Sequence, residues 1–178
     1  MVMILTETEA ITCVTPAPMA TLEGTEKDIS PEAIHYFSKG ITLSEQGKYR
    51  EAVDAYDQGL KHAIAVPQAW YNKGTALGEL GRYAEALEAL EQAVRLNPDY
   101  FEAWHNKGVA FARLGRHQDA LEAFERALHQ RSDDARAWLS IGTVLLAQQK
   151  TEEALNALEQ ALSHAEEEPL TWLSIGVA

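Results

Sequence analysis

Residues 70–94 read WYNKGTALGELGRYAEALEALEQAV, and the same design returns at a fixed distance on either side. All four tryptophans, Trp70, Trp104, Trp138 and Trp172, stand 34 residues apart. Glycine keeps that interval at Gly40, Gly74, Gly108, Gly142 and Gly176, and alanine keeps it at Ala52, Ala86, Ala120 and Ala154. A second glycine series marks Gly47, Gly81 and Gly115. Chance does not hold several residue types in register over such distances. A period of this size signals stacked supersecondary units, each leaning on its neighbours.

Each unit reads as two helices. The first runs from Gln68 to Leu80 and carries Trp70, Leu77 and Leu80, with Gly74 between its turns. Gly81 then supplies the left-handed conformation that ends a helix. From Tyr83 onward, Ala86, Leu87, Leu90, Ala93 and Val94 recur at helical spacing and define a second amphipathic helix, closed by Pro98. Pro31, Pro67 and Pro169 suit first-turn positions, and Asp99 with Glu102 reads as a capping box. Gly74, Ala86 and Ala93 are small enough to let the two helices approach closely. The tryptophans, Leu77, Phe111, Leu145, Tyr56, Leu90, Phe124 and Leu158 are expected to form one continuous core.

The motif Trp70-Tyr71-Asn72-Lys73-Gly74, followed by Gly81-Arg82-Tyr83, Ala86, Leu90, Ala93 and Pro98, resembles the tetratricopeptide repeat. The resemblance implies an all-α, right-handed α-solenoid with repeats at 33–66, 67–100, 101–134 and 135–168, then the first helix of a fifth at 169–178. Departures from the family pattern are Tyr36 in the first tryptophan position, Gly59 for a late alanine and Gln149 for a turn glycine. Lys39, Lys73 and Lys107 occupy a usually aliphatic position, where their stems cover apolar surface and their ends stay wet.

Composition narrows the function classes. The 178 residues carry 27 Asp and Glu against 15 Lys and Arg, a net charge of −12. Such a surface repels phosphates, which argues against nucleic acid and against anionic membranes. No apolar run reaches the length of a membrane span, and Met1–Leu5 lacks the basic flank of a signal peptide. Cys13 is the single cysteine, so neither an internal disulfide nor a cysteine metal cluster is expected. A cytoplasmic protein is expected. Residues 1–32 lie outside the period and read as an acidic, flexible leader, or as a segment whose apolar stretches Met1–Leu5 and Ile11–Val14 lie in a repeat groove. At the other end, Leu170-Thr171-Trp172-Leu173-Ser174-Ile175 is not the polar cap of a finished solenoid. Either a longer protein continues there, or Trp172, Leu173 and Ile175 pair two copies in a homodimer.

No catalytic constellation is found. The six histidines never fall three or four apart, so no helical metal pair exists, and no cofactor or metal is expected. The patterned glycines belong to the repeat and form no phosphate-cradling loop. By the resemblance, first helices line a concave surface, which assigns Phe37, Ile41, Tyr71, Thr75, His105, Val109 and Leu139 to inner positions. Asn72 and Asn106 follow in register, with Arg136 nearby; the two amides either hold the backbone of an extended ligand or bond neighbouring helices. The carboxylate clamp known in this family, which grips acidic C-termini, is not matched. One register gives Phe37, Ile41, Asn72, Glu102 and Asn106; the next gives Tyr71, Thr75, Asn106, Arg136 and Ser140. The expected function is a non-catalytic interaction module that takes a partner's peptide or helix in a mixed apolar and polar groove. The alternatives are a self-assembly unit and a regulatory arm of a longer protein. Glutamate at Tyr71 and His105 is expected to abolish groove binding without unfolding the chain.

Overall fold

The computed structural model describes residues 29–165. These form eight helices: α1 (Pro31–Glu45), α2 (Tyr49–His62), α3 (Pro67–Glu79), α4 (Tyr83–Leu96), α5 (Phe101–Arg113), α6 (His117–Gln130), α7 (Ala135–Ala147) and α8 (Thr151–Ala165). No strand occurs among the described residues. Successive helices pair as hairpins, and each hairpin's second helix packs on the first helix of the next. The first helices α1, α3, α5 and α7 also touch one another in turn, which places their row on the inside of the solenoid's bend. The leader up to Asp28, Cys13, Pro169, Trp172, Leu173 and Ile175 lie outside the described residues.

Helix boundaries follow local chemistry, with one correction. Pro31 and Pro67 occupy first-turn positions, and the Ser30 hydroxyl accepts a hydrogen bond from the Ala33 amide at 3.2 Å. The capping box expected at Asp99 and Glu102 does not form. The residue capping α5 is Tyr100, which makes no side-chain cap. Asp99 instead accepts from Gln130 Nε2 at 2.9 Å, and Glu102 pairs with Arg131 at 2.8 Å. Partners brought over from the end of α6 outcompete the local bond. The side-chain cap downstream is Asp134, whose carboxylate accepts from the amides of Arg136 and Ala137 at 3.0 and 3.2 Å.

Within a hairpin the glycine of the first helix admits a large side chain from the second. A methyl group added at Gly108 would stand 2.6 Å from the Phe124 ring. The departure at Gly59 has the same cause: a methyl there would strike the Phe37 ring, so a larger residue on α1 is matched by a smaller one on α2.

The fully buried side chains fall into three clusters, which the tryptophans join into the continuous core expected. One surrounds Phe37, Tyr56 and Leu77, a second Tyr71, Leu90 and Tyr100, and a third Phe101, Phe124 and Leu145. Trp70 borders the first two and Trp104 the last two. Trp70, Trp104 and Trp138 are half-buried, as are Phe111 and Leu158. Each indole N–H donates to a carbonyl in the preceding connection: Trp70 to Ile64 at 2.7 Å, Trp104 to Pro98 at 2.7 Å and Trp138 to Ser132 at 2.9 Å. A ring at the joint thus covers apolar surface while its polar edge ties down the loop.

The four described hairpin turns are alike. The amides of Lys48, Arg82, Arg116 and Lys150 each return to a carbonyl five residues earlier at 2.9 Å. The residue before each has φ of +73°, +72° and +73° at Gly47, Gly81 and Gly115, and +61° at Gln149. A side chain is penalised in this left-handed region, and glycine is not. Gln149→Gly is therefore expected to raise the unfolding free energy by about 1 kcal/mol, read as a higher urea midpoint at constant slope.

Candidate functional site

The inner row of helices carries every groove residue named above. Phe37, Tyr71, Asn72, Thr75, His105, Asn106 and Val109 are buried, while Ile41, Arg136 and Leu139 are half-buried. Leu146, one turn beyond Thr143 on α7, is 47% exposed, the most open apolar side chain of this row. Sequence reading passed over it because Gly78 and Ala112 stand in its register and carry little side chain. Glu45 and Glu79 are exposed at the far end of their helices, and Arg113 is half-buried.

The two asparagines are built into the packing between helices. Asn106 Nδ2 on α5 donates to Thr75 Oγ1 at 3.0 Å and to the Tyr71 hydroxyl at 3.4 Å, both on α3. Thr75 in turn donates to the Tyr71 carbonyl at 3.1 Å. The Tyr71 ring lies 5.0 Å from that of Tyr100. Polar and aromatic contacts therefore lock successive first helices together, and Tyr71, Asn72, Asn106 and Arg113 each make further interactions.

His105 sits between Phe101 and Phe124, with ring centroids 6.2 and 5.3 Å away. Ser140 gives its hydroxyl proton to the Arg136 carbonyl at 2.9 Å, which leaves its oxygen to accept from His105 Nε2 at 3.4 Å. His105 Nδ1 has no hydrogen-bond partner. Burial pushes the imidazole pKa down to about 4, so the ring is neutral at physiological pH. Beside it, burial of Asp134 is outweighed by the Arg136 guanidinium, which binds it at 2.8 Å and holds its carboxyl below the usual range.

This burial corrects the expectation that glutamate at Tyr71 and His105 leaves the fold intact. Tyr71 is 0% and His105 2% exposed, so a carboxylate at either position loses its hydration where Arg136 is already paired with Asp134, and destabilises the hairpins. Among the described residues no group of three or more His, Cys, Asp or Glu side chains is placed to hold a metal ion. No described helix is long and apolar enough to cross a membrane.

His105 also sets a pH dependence. Its pKa is depressed on folding, so below the unfolded value of about 6.5 the unfolded chain takes up a proton that the native chain refuses. Stability is full above that pH and falls as pH drops toward the folded pKa of about 4. The expected loss between pH 7.5 and 5 is about 2 kcal/mol, and a His105→Gln variant should lack that part of the slope in urea titrations across this range.

Comparison with known proteins agrees with this architecture. The family model for the tetratricopeptide repeat matches residues 37–77, 71–135 and 113–169. Among solved structures, a crystal structure of MamA is 23% identical and covers 84% of this chain and 85% of its own, with a TM-score of 0.75. MamA from Desulfovibrio magneticus RS-1, residues 41 to the end, is 24% identical over 79% of each chain, with a TM-score of 0.73. The first repeat domain of Spaghetti (RPAP3), solved with the HSP90 peptide SRMEEVD, is 28% identical and covers 67% of this chain and 94% of its own, with a TM-score of 0.65. Curated protein sequences give no match. With four helical hairpins in one register and a family model matched from Phe37 to Glu168 and one residue beyond, the chain belongs to the tetratricopeptide repeat family.

Proposed function

We propose that this chain is a non-catalytic protein-interaction module whose inner groove takes a peptide or helix of a partner. The observation that carries the reading is that the inner row keeps apolar side chains open at both of its described ends, on α1 and on α7. Ile41 and Leu139 are half-buried and Leu146 is exposed, beside first helices already fixed to one another by the Asn106, Thr75 and Tyr71 bonds. A prearranged surface loses little freedom on binding, so apolar contact area there converts efficiently into affinity. The RPAP3 domains are solved with HSP90 and HSP70 peptides, and a peptide is the partner class proposed here too.

The ligand differs in chemistry from those acidic tails. The Asn106 amide is engaged with Thr75 and Tyr71, and the Arg136 guanidinium with Asp134. Phe37, Ile41, Tyr71 and Thr75 supply no cation where a clamp requires one. An apolar peptide or the apolar face of a helix fits better. In affinity capture with the full chain, an Ile41→Glu, Leu139→Glu variant of unchanged helicity is expected to lose its partner by tenfold or more. The peptide SRMEEVD is expected not to bind. Equal retention by both baits places the site elsewhere, and tight binding of the acidic peptide refutes the apolar assignment.

A further inference from the structure

At the joint of α2, α3 and α4, on the side away from the inner row, lies an open cleft of about 400 Å³. Val53 and Leu77 belong to its floor, Trp70 to its wall, and Lys73 and Arg82 to its flanks. Ile64, 69% exposed, stands at its mouth. The repeat register shows what shape of group this space suits. One period on, Leu87 replaces Val53 and Phe111 replaces Leu77, while Lys107 and Arg116 keep the places of Lys73 and Arg82.

At that second joint the two cations face a ring. The Arg116 guanidinium lies 4.5 Å and the Lys107 ammonium 5.9 Å from the Phe111 centroid. Arg116 is aimed by Asp119 at 2.7 Å, and Arg82 is held in the same way by Glu85 at 2.7 Å. Lys73 is tied to Asp57 at 2.6 Å, as Lys107 is tied to Glu91. The first joint thus repeats the cationic frame and carries Leu77 where the second carries the Phe111 ring.

We propose that this cleft is a binding site for a phenylalanine side chain of a partner peptide, seated over Leu77 and presented to Lys73 and Arg82 as the Phe111 ring is to Lys107 and Arg116 one repeat later. Trp70 and the aliphatic floor would bury the ring, and Lys73 and Arg82 would face its π-cloud. Around the cleft Asp57, Glu85 and Glu88 outnumber those two cations, so the residues flanking the phenylalanine are basic. This site is separate from the inner groove and stands whether or not the groove binds a peptide.

The test is a titration of the full chain with lysyl-phenylalanyl-lysine blocked at both ends, followed through the methyl resonances of Val53, Ile64 and Leu77. Saturable shifts confined to these groups are expected. Cyclohexylalanine in place of phenylalanine should bind more weakly by a factor of about 2 to 5, the share of the cation–π contacts. Leu77→Phe builds the missing ring into the chain and should weaken the peptide at least tenfold. If that variant melts early, Val53→Leu, which copies Leu87, fills the same space and should also weaken binding. The absence of saturable shifts overturns the proposal, as does binding undiminished in the cleft-filling variants. Equal affinity for the cyclohexyl peptide overturns the aromatic assignment.

Discussion

A hairpin of two helices of this length cannot bury its own apolar face, so every part of this molecule depends on the joint between one hairpin and the next. The joint is closed by a half-buried tryptophan whose ring borders two buried clusters and whose N–H secures the loop leading into it. Around that ring a lysine of the entering helix reaches an acid of the preceding one, Lys73 to Asp57 and Lys107 to Glu91, while lying over Trp70 and Trp104. At the third joint Ile141 takes the lysine's place and is buried. Apolar contact and a screened ion pair over an indole are interchangeable there because either covers the same surface.

The two sides of the solenoid then acquire different chemistry. On the inner side, first helices meet directly: Asn106 donates to Thr75 and Tyr71, and His105 Nε2 donates to Ser140, within that contact. A buried polar network of this kind fixes the spacing of successive helices, because breaking one bond leaves the others unpaired in a dry environment. On the opposite side, second helices present acids and cations to water, and small changes in side-chain size at a joint open or close a cleft. Val53 and Leu77 against Leu87 and Phe111 are such a change.

Most of the fold was legible in the sequence because the repeat is enforced by local rules. Gly81 after an apolar helix and Pro67 before one state where a helix stops and starts, and the 34-residue period says that neighbouring units pack alike. Gly74, Ala86 and Ala93 were legible as close-approach residues, whereas Gly59 stood out only as a departure, because the Phe37 ring that takes its space comes from another helix. The capping box at Asp99 was misread for a definite reason: its carboxylate finds Gln130, a residue 31 positions away, and no local motif announces that partner.

The sequence by itself determined the repeat, its helix ends, its acidic character and the residue types along the inner row, since each rests on spacing within one or two turns. Only the tertiary structure decided which of those residues stay open. Tyr71, His105 and the asparagines face inward in register, yet packing from the next hairpin and from their own second helices buries them, while Ile41, Leu139 and Leu146 remain accessible. Tertiary contact likewise decided that the space beneath Lys73 and Arg82 is open. Burial belongs to the sum of all surrounding side chains, and that sum is fixed only when the hairpins have stacked.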